Sequence, residues 1–197
     1  WLTQENVHAG MIGLRGAVAP DAGLFRRAAR EIAGILRTEG VADMPLGVDL
    51  VEPPMAAALA DEGIVVQDGQ QVMLDAREVK SVDEIILLNT ACAMVDGAYQ
   101  YISERLKPGV RESELVAEVT KVLFDLGSEH VDNINAVSGE RCSPHPHVFS
   151  DRIIRPGDQA FFDIIHTFVG YKTCYYRTFV VGVGTDAQRD AYKQARE

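Results

Sequence analysis

Between residues 138 and 182 the chain collects side chains that could do chemistry: three of its five histidines, two of its three cysteines, and an aspartate inside an apolar run. The aspartate, Asp163, sits in AFFDIIHTF. An ionised carboxylate in a strand of that composition is costly unless a cation or hydrogen-bond donors stand beside it. His145 and His147 flank Pro146 in PHPH. An imidazole titrates near neutrality, so either could move a proton in a reaction. In an extended segment the two are expected to point in different directions, so that one of them faces a site. His166 lies three residues beyond Asp163, which places it on the opposite face of a strand and reads as packing. Cys174 has no histidine adjacent in sequence and reads as a buried, inert thiol. Tyr175 and Arg177 share one face of their strand and Tyr176 takes the other. The planar fork of Arg177 could hold a substrate carboxylate with Tyr175 beside it, or pair with Asp163. Upstream, Glu112, Glu114 and Glu118 read as a solvated helix face and first-turn dipole partners.

These groups need a scaffold. Strands are expected over 135–138, 159–165 and 171–181, with Pro156-Gly157-Asp158 and Val169-Gly170 as turns, the last two strands forming a long antiparallel hairpin. Two helices precede them. Ser81 and Glu84 make a capping box for a helix over 82–106 with Ile86, Ala93, Gly97 and Tyr101 among its inward positions. Lys107-Pro108-Gly109 ends it, and a second helix over 112–126 is apolar at Leu115, Val119, Val122 and Leu126 before Gly127 closes it. Further upstream, a helix runs to residue 39 with Asp21 as N-cap, Leu24, Ala28, Ile32, Ile35 and Leu36 as its stripe, and Gly40 as its stop. Short strands over 46–51 and 63–66 enclose a helix opened by Pro53-Pro54, and a short helix and connector follow over 69–79. That alternation is the pattern of an α/β layer. The glycine-rich start, with GMIGLRG over 10–16, reads as a short strand with loops. Lys80-Ser81 marks a division into domains 1–79 and 80–197.

A chain of 197 residues can bury a conventional core. The net charge of −10 and pI near 4.9 exclude the clustered basic face of a nucleic-acid binder. No apolar run approaches the roughly 20 residues that span a bilayer. Three cysteines without CxxC spacing suggest neither a zinc ribbon nor a disulfide framework, so the expected setting is a reducing cytoplasm. The chain opens at Trp1 and stops inside a helical pattern, AQRDAYKQARE, so both ends read as cut and further site groups are expected beyond Glu197.

The motifs AREVKSVDEI, LKPGV, VSGERCSPHPH, IRPGDQAFFD and GYKTCYYRT, in that order, resemble the pita-bread superfamily of aminopeptidase P, prolidase, methionine aminopeptidase and creatinase. The most specific pieces are Arg155 to Asp158, Asp163 five residues later, and Gly170-Tyr171 followed by Arg177-Thr178. The resemblance implies an α/β chain: the end of a creatinase-type N-terminal domain (1–79), then the first half of a pita-bread catalytic domain (80–197). In the metallopeptidase members it further implies a dinuclear metal centre held by two aspartates eleven positions apart, then by a histidine and two glutamates downstream. Here Asp163 stands at the first position and Cys174 at the second, and a thiolate is a poor substitute for a carboxylate that bridges two hard ions. In creatinase, which works without metal, a loop histidine is the acid/base; the matching position here is Pro146, so His145 or His147 takes that part. The cofactor is therefore open between a divalent ion (Mn, Zn, Co or Fe) at Asp163 and none. The implied activity is hydrolysis of a carbon–nitrogen bond in a small-molecule or dipeptide substrate, Xaa-Pro peptidase-like or creatinase-like with a non-standard metal site, by a homodimer. The other implied reading is a pita-bread binding module that has lost catalysis.

Overall fold

The computed structural model describes Ala19 and residues 22–197; the GMIGLRG run and Asp21 lie outside the described residues. The chain divides into two compact units, one ending at Val79 and one beginning at Lys80.

In the first unit, α1 (Leu24–Thr38), β1 (Leu46–Val48), α2 (Pro53–Asp61), β2 (Val66–Asp68) and α3 (Gln70–Glu78) follow in order. β1 and β2 pair in parallel, Leu46 opposite Val66. The core is Ala29 and Ala33 of α1 against Ala58, Leu59 and Ile64, flanked by Phe25, Ile32, Leu36 and Met55. The fully buried face of α1 is thus centred on two alanines, and the larger residues of the expected stripe sit at its margins, because small side chains let two helices approach closely. Both strands are shorter than expected. Asp49 turns the chain out of β1 by accepting from Leu50 N at 2.9 Å. Residues 63–64 are used to close α2, with Gly63 N on Ala60 O and Ile64 N on Leu59 O, so β2 starts only at Val66.

The second unit holds α4 (Val82–Arg105), α5 (Glu112–Asp125), the strands β3 (His130–Ser138), β4 (Gln159–Phe168) and β5 (Tyr171–Val180), and α6 (Asp186–Arg196). The capping box forms: Ser81 N donates to Glu84 Oε2 at 2.6 Å and Ser81 Oγ accepts from Glu84 N. The buried face of α4 is Ala91, Met94, Val95, Ala98, Tyr99 and Ile102, whereas Ile86, Ala93 and Gly97 are exposed. Residues 85–95 are apolar or small at nearly every position, so periodicity alone does not select a face. Tyr99 does, its hydroxyl reaching the backbone carbonyls of Phe162 (2.8 Å) and Tyr175 (2.6 Å). In α5 the buried apolar set is Leu115, Val116, Val119 and Leu123, and Leu126 is exposed.

The sheet order is β3-β4-β5, all antiparallel. β3 extends five residues further upstream than expected, because a register shift between Val131 and Asn133 lets both Val131 and Ile134 pack on the core despite the polar pair between them. Val169 (φ 49°) and Gly170 (φ 78°) make the two-residue turn between β4 and β5. Ala160, Phe162 and Ile164 of β4 enter a core shared with α4 and α5. The alternate residues, Phe161, Asp163 and Ile165, take the other face.

Candidate active-site face

Asp163 is opposite Asn135 of β3 and Tyr176 of β5, and only 2% of it is exposed. Its Oδ2 accepts from Asn135 Nδ2 at 3.1 Å, and Asn135 Oδ1 in turn accepts from Asn133 Nδ2 at 2.7 Å, which fixes which end of the Asn135 amide faces the carboxylate. Cys174, eleven residues on, is diagonal to Asp163 across the hairpin. Its Sγ donates at 3.4 Å to Oδ1 and lies 3.7 Å from Oδ2. Burial first, then the hydrogen bond to Asp163, pushes this thiol up from the ordinary cysteine range, so it is a neutral donor at physiological pH. The Tyr176 hydroxyl is likewise pushed up by desolvation and the Asp163 charge. Two neutral donors, the Asn135 amide and the Cys174 thiol, thus meet the carboxylate. Cys174 is exposed as a residue, a correction to the buried thiol expected of it, because only one flank of its side chain meets Asp163.

The histidines reach this same face from the loop that links β3 to β4, entered through a 3-10 turn at Gly139–Cys142. The His145 ring meets Phe161 edge-on, centroids 5.1 Å apart at 88°, and Phe161 contacts Tyr176 at 5.9 Å. His145 and His147 do not diverge. The loop bends past Pro146 and brings their Nε2 atoms to 3.1 Å, with ring centres 5.0 Å apart.

What fixes the loop is a residue the sequence reading placed on a solvated face. Glu112, the first residue of α5, is 1% exposed. Its Oε1 accepts from Ser138 N and Oγ, both at 2.8 Å. Its Oε2 accepts from Ser150 N (2.9 Å) and Oγ (2.8 Å) and from Arg141 Nη1. Ser138 and Ser150 are the two stems of the loop, and Arg141, inside it, also donates to Val148 O at 2.9 Å. Beside this cluster, Arg152 donates to Asp158 (2.5 Å) and Glu140 (2.6 Å). The Arg152 hydrogen bond holds the Glu140 carboxyl at about 2. The available signal for Glu112 is an arginine and two serines bracketing a loop, all of which need an acceptor.

Tyr175 and Arg177 are on the helical side of the sheet. Tyr175 Oη contacts Asp96 Oδ1 (2.8 Å) and Cys92 O (3.0 Å). The Arg177 guanidinium stacks over Tyr175 (4.7 Å) and Tyr99 (5.6 Å) and lies 4.0 Å from Asp96. Arg177 therefore does not pair with Asp163, since the two strands place them on opposite faces. His166 is fully buried, its Nδ1 3.0 Å from Ser128 Oγ and its Nε2 3.0 Å from Ala91 O, a packing arrangement. The structure brings Asp163, Cys174, His145 and His147 to one face and leaves Tyr175 and Arg177 on the other. Among the described residues no three of His, Cys, Asp and Glu converge on one point. A carboxylate paired with a protonated thiol does not fit a centre in which carboxylates bridge two hard ions.

The model of metallopeptidase family M24 matches residues 87–197. The Xaa-Pro dipeptidase of Pyrococcus furiosus is 32% identical over 124 residues, which are 62% of this chain and 35% of that protein. Among solved structures, the prolidase from Pyrococcus furiosus superposes with a TM-score of 0.68 at 27% identity, covering 73% of this chain and 43% of that one. The Xaa-Pro dipeptidase from Bacillus anthracis reaches a TM-score of 0.75 over 94% of this chain and 48% of its own, a likeness of fold at 23% identity. The chain spans about a third of the length of the curated relatives it matches.

Proposed function

The chain belongs to metallopeptidase family M24, with its pita-bread mixture of helix and sheet, and on that premise we propose that the full protein hydrolyses the carbon–nitrogen bond of a small Xaa-Pro-type dipeptide. The observation that carries this reading is the convergence of Asp163, Cys174 and the histidine loop on one face of β4 and β5. In it, His145 or His147 takes the proton of the attacking water and returns it to the departing amine nitrogen. Asp163, oriented by Asn135, is the anionic centre of the face. Residues 1–79 are the end of an N-terminal domain and residues 80–197 the first half of the catalytic one. The donors around Asp163 do not fit the two-ion centre.

One observation favours a second reading. The carboxylate already receives Asn135 and Cys174 from its own chain, as in a binding module that has lost hydrolysis. Proline release from an Xaa-Pro dipeptide by the full-length protein separates the two. Hydrolysis is expected, with His145→Ala or His147→Ala lowering kcat by about 10²-fold or more. A wild-type protein that binds but does not cleave the dipeptide, or turnover unaltered in both variants, overturns the hydrolase reading in favour of the module.

A further inference from the structure

We propose that His145 and His147 form a chelating site for a divalent transition-metal ion of borderline softness, zinc first, distinct from the Asp163 and Cys174 pair. The geometry is that of two Nε2 atoms held at nearly the spacing of a chelating pair. Two imidazoles bound through Nε2 at about 2.0–2.1 Å, with a near-tetrahedral angle at the ion, hold their nitrogens about 3.3–3.4 Å apart and their ring centres about 5.2 Å apart, slightly wider than the unbound pair. The pair shows 3.1 Å and 5.0 Å. A straight N–H···N bond of that length would separate the ring centres by roughly 5.4 Å. The ring axes therefore lean off the N···N line, their planes 23° apart, and an ion beside that line is within reach of both nitrogens.

That position is also preorganised. Glu112 ties both stems of the loop, Arg141 ties its interior, Pro146 stands between the two histidines, and the edge of Phe161 holds the His145 ring. An ion would not have to order the loop on arrival, which removes the usual entropic cost of building a site from surface residues. Imidazole ligands select zinc, copper or nickel over magnesium and manganese, the opposite preference to a carboxylate centre. Both rings are exposed, so the remaining coordination positions open to solvent and leave room for water or a small anionic ligand. An ion there occupies both Nε2 atoms that the hydrolase reading uses for proton transfer; its binding stands whether or not that reading does.

The test is calorimetric titration of the metal-stripped chain with Zn2+ alone at neutral pH, for wild type, His145→Gln, His147→Gln and Cys174→Ser. The exposed histidines can be replaced without touching the core, and circular dichroism checks this. The tightest Zn2+ event is expected to weaken in each histidine variant by at least about tenfold, no less than loss of an outer-shell partner costs, and to persist in Cys174→Ser. In NMR spectra, Zn2+ should shift the ring signals of His145 and His147 and leave those of His166, whose two nitrogens are both engaged. Equal affinity in wild type and both histidine variants overturns the proposal, as does loss of the event in Cys174→Ser alone.

Discussion

Burial and the neighbouring Asp163 carboxylate hold Cys174 in its thiol form. The contact at 3.4 Å places a thiol against a carboxylate that is nearly fully buried, and both desolvation and that charge disfavour a thiolate. The sign is that of a raised pKa, so thiolate appears only at a higher pH than for an ordinary cysteine. Alkylation of Cys174 by iodoacetamide is expected to be slow at neutral pH and to rise on the alkaline side of a free-thiol control. In Asp163→Asn the charge is gone and the profile should move back toward the control; an unmoved profile would show that Asp163 does not act on the thiol. The need of Asp163 for donors could be read from its apolar run, but their identity could not. Asn135 is 28 residues away and arrives only through the register of β3 on β4. Glu112 was opaque for the same reason, since the serines that bury it follow 26 and 38 residues later.

At the scale of elements, the histidine loop depends on the start of α5. One carboxylate accepts five donors from the two stems and from Arg141, so its removal strands buried polar groups and a cation at once. Glu112→Ala is expected to cost about 3–5 kcal/mol, in the range for breaking a buried ion pair by deleting one partner. Glu112→Gln keeps the shape, loses the charge and should cost less. Hydrogen exchange provides the local readout: amides of residues 138–150 should lose protection in both variants, most in Glu112→Ala, while those at the centre of β4 hold theirs. Uniform loss across the sheet would mean that Glu112 supports the core rather than the loop. The helices and the hairpin were legible because caps and turns are local: Ser81 with Glu84, Gly127, Val169-Gly170. The inward face of α4 was not, since its apolar residues surround the helix and the choice is made by Tyr99 bonding to strands more than sixty residues on.

For the whole molecule, the division at Val79 is matched by two core clusters, one in each unit. One is built on Ala29, Ala33, Ala58, Leu59 and Ile64, the other on residues from Val95 to Val181 with Phe162 and Ile102 among them. The short strands and double proline of residues 46–79 announced an α/β layer, and a parallel strand pair with helices forms there. Separate cores make separable stabilities. Phe162 is 1% exposed and meets Phe179 edge-on at 6.0 Å, so Phe162→Ala should cost the second unit about 3–5 kcal/mol. Leu59, 2% exposed, should cost the first unit about 2–5 kcal/mol when replaced by alanine. Measured by hydrogen exchange with mass spectrometry, Phe162→Ala should raise exchange through α4, α5 and the three-stranded sheet and leave α1 and α2 as in wild type. Leu59→Ala should do the reverse. If either substitution loosens both sets of elements equally, the two cores unfold as one cooperative body, and the histidine loop and Asp163 would then draw their stability from the first unit as well as the second.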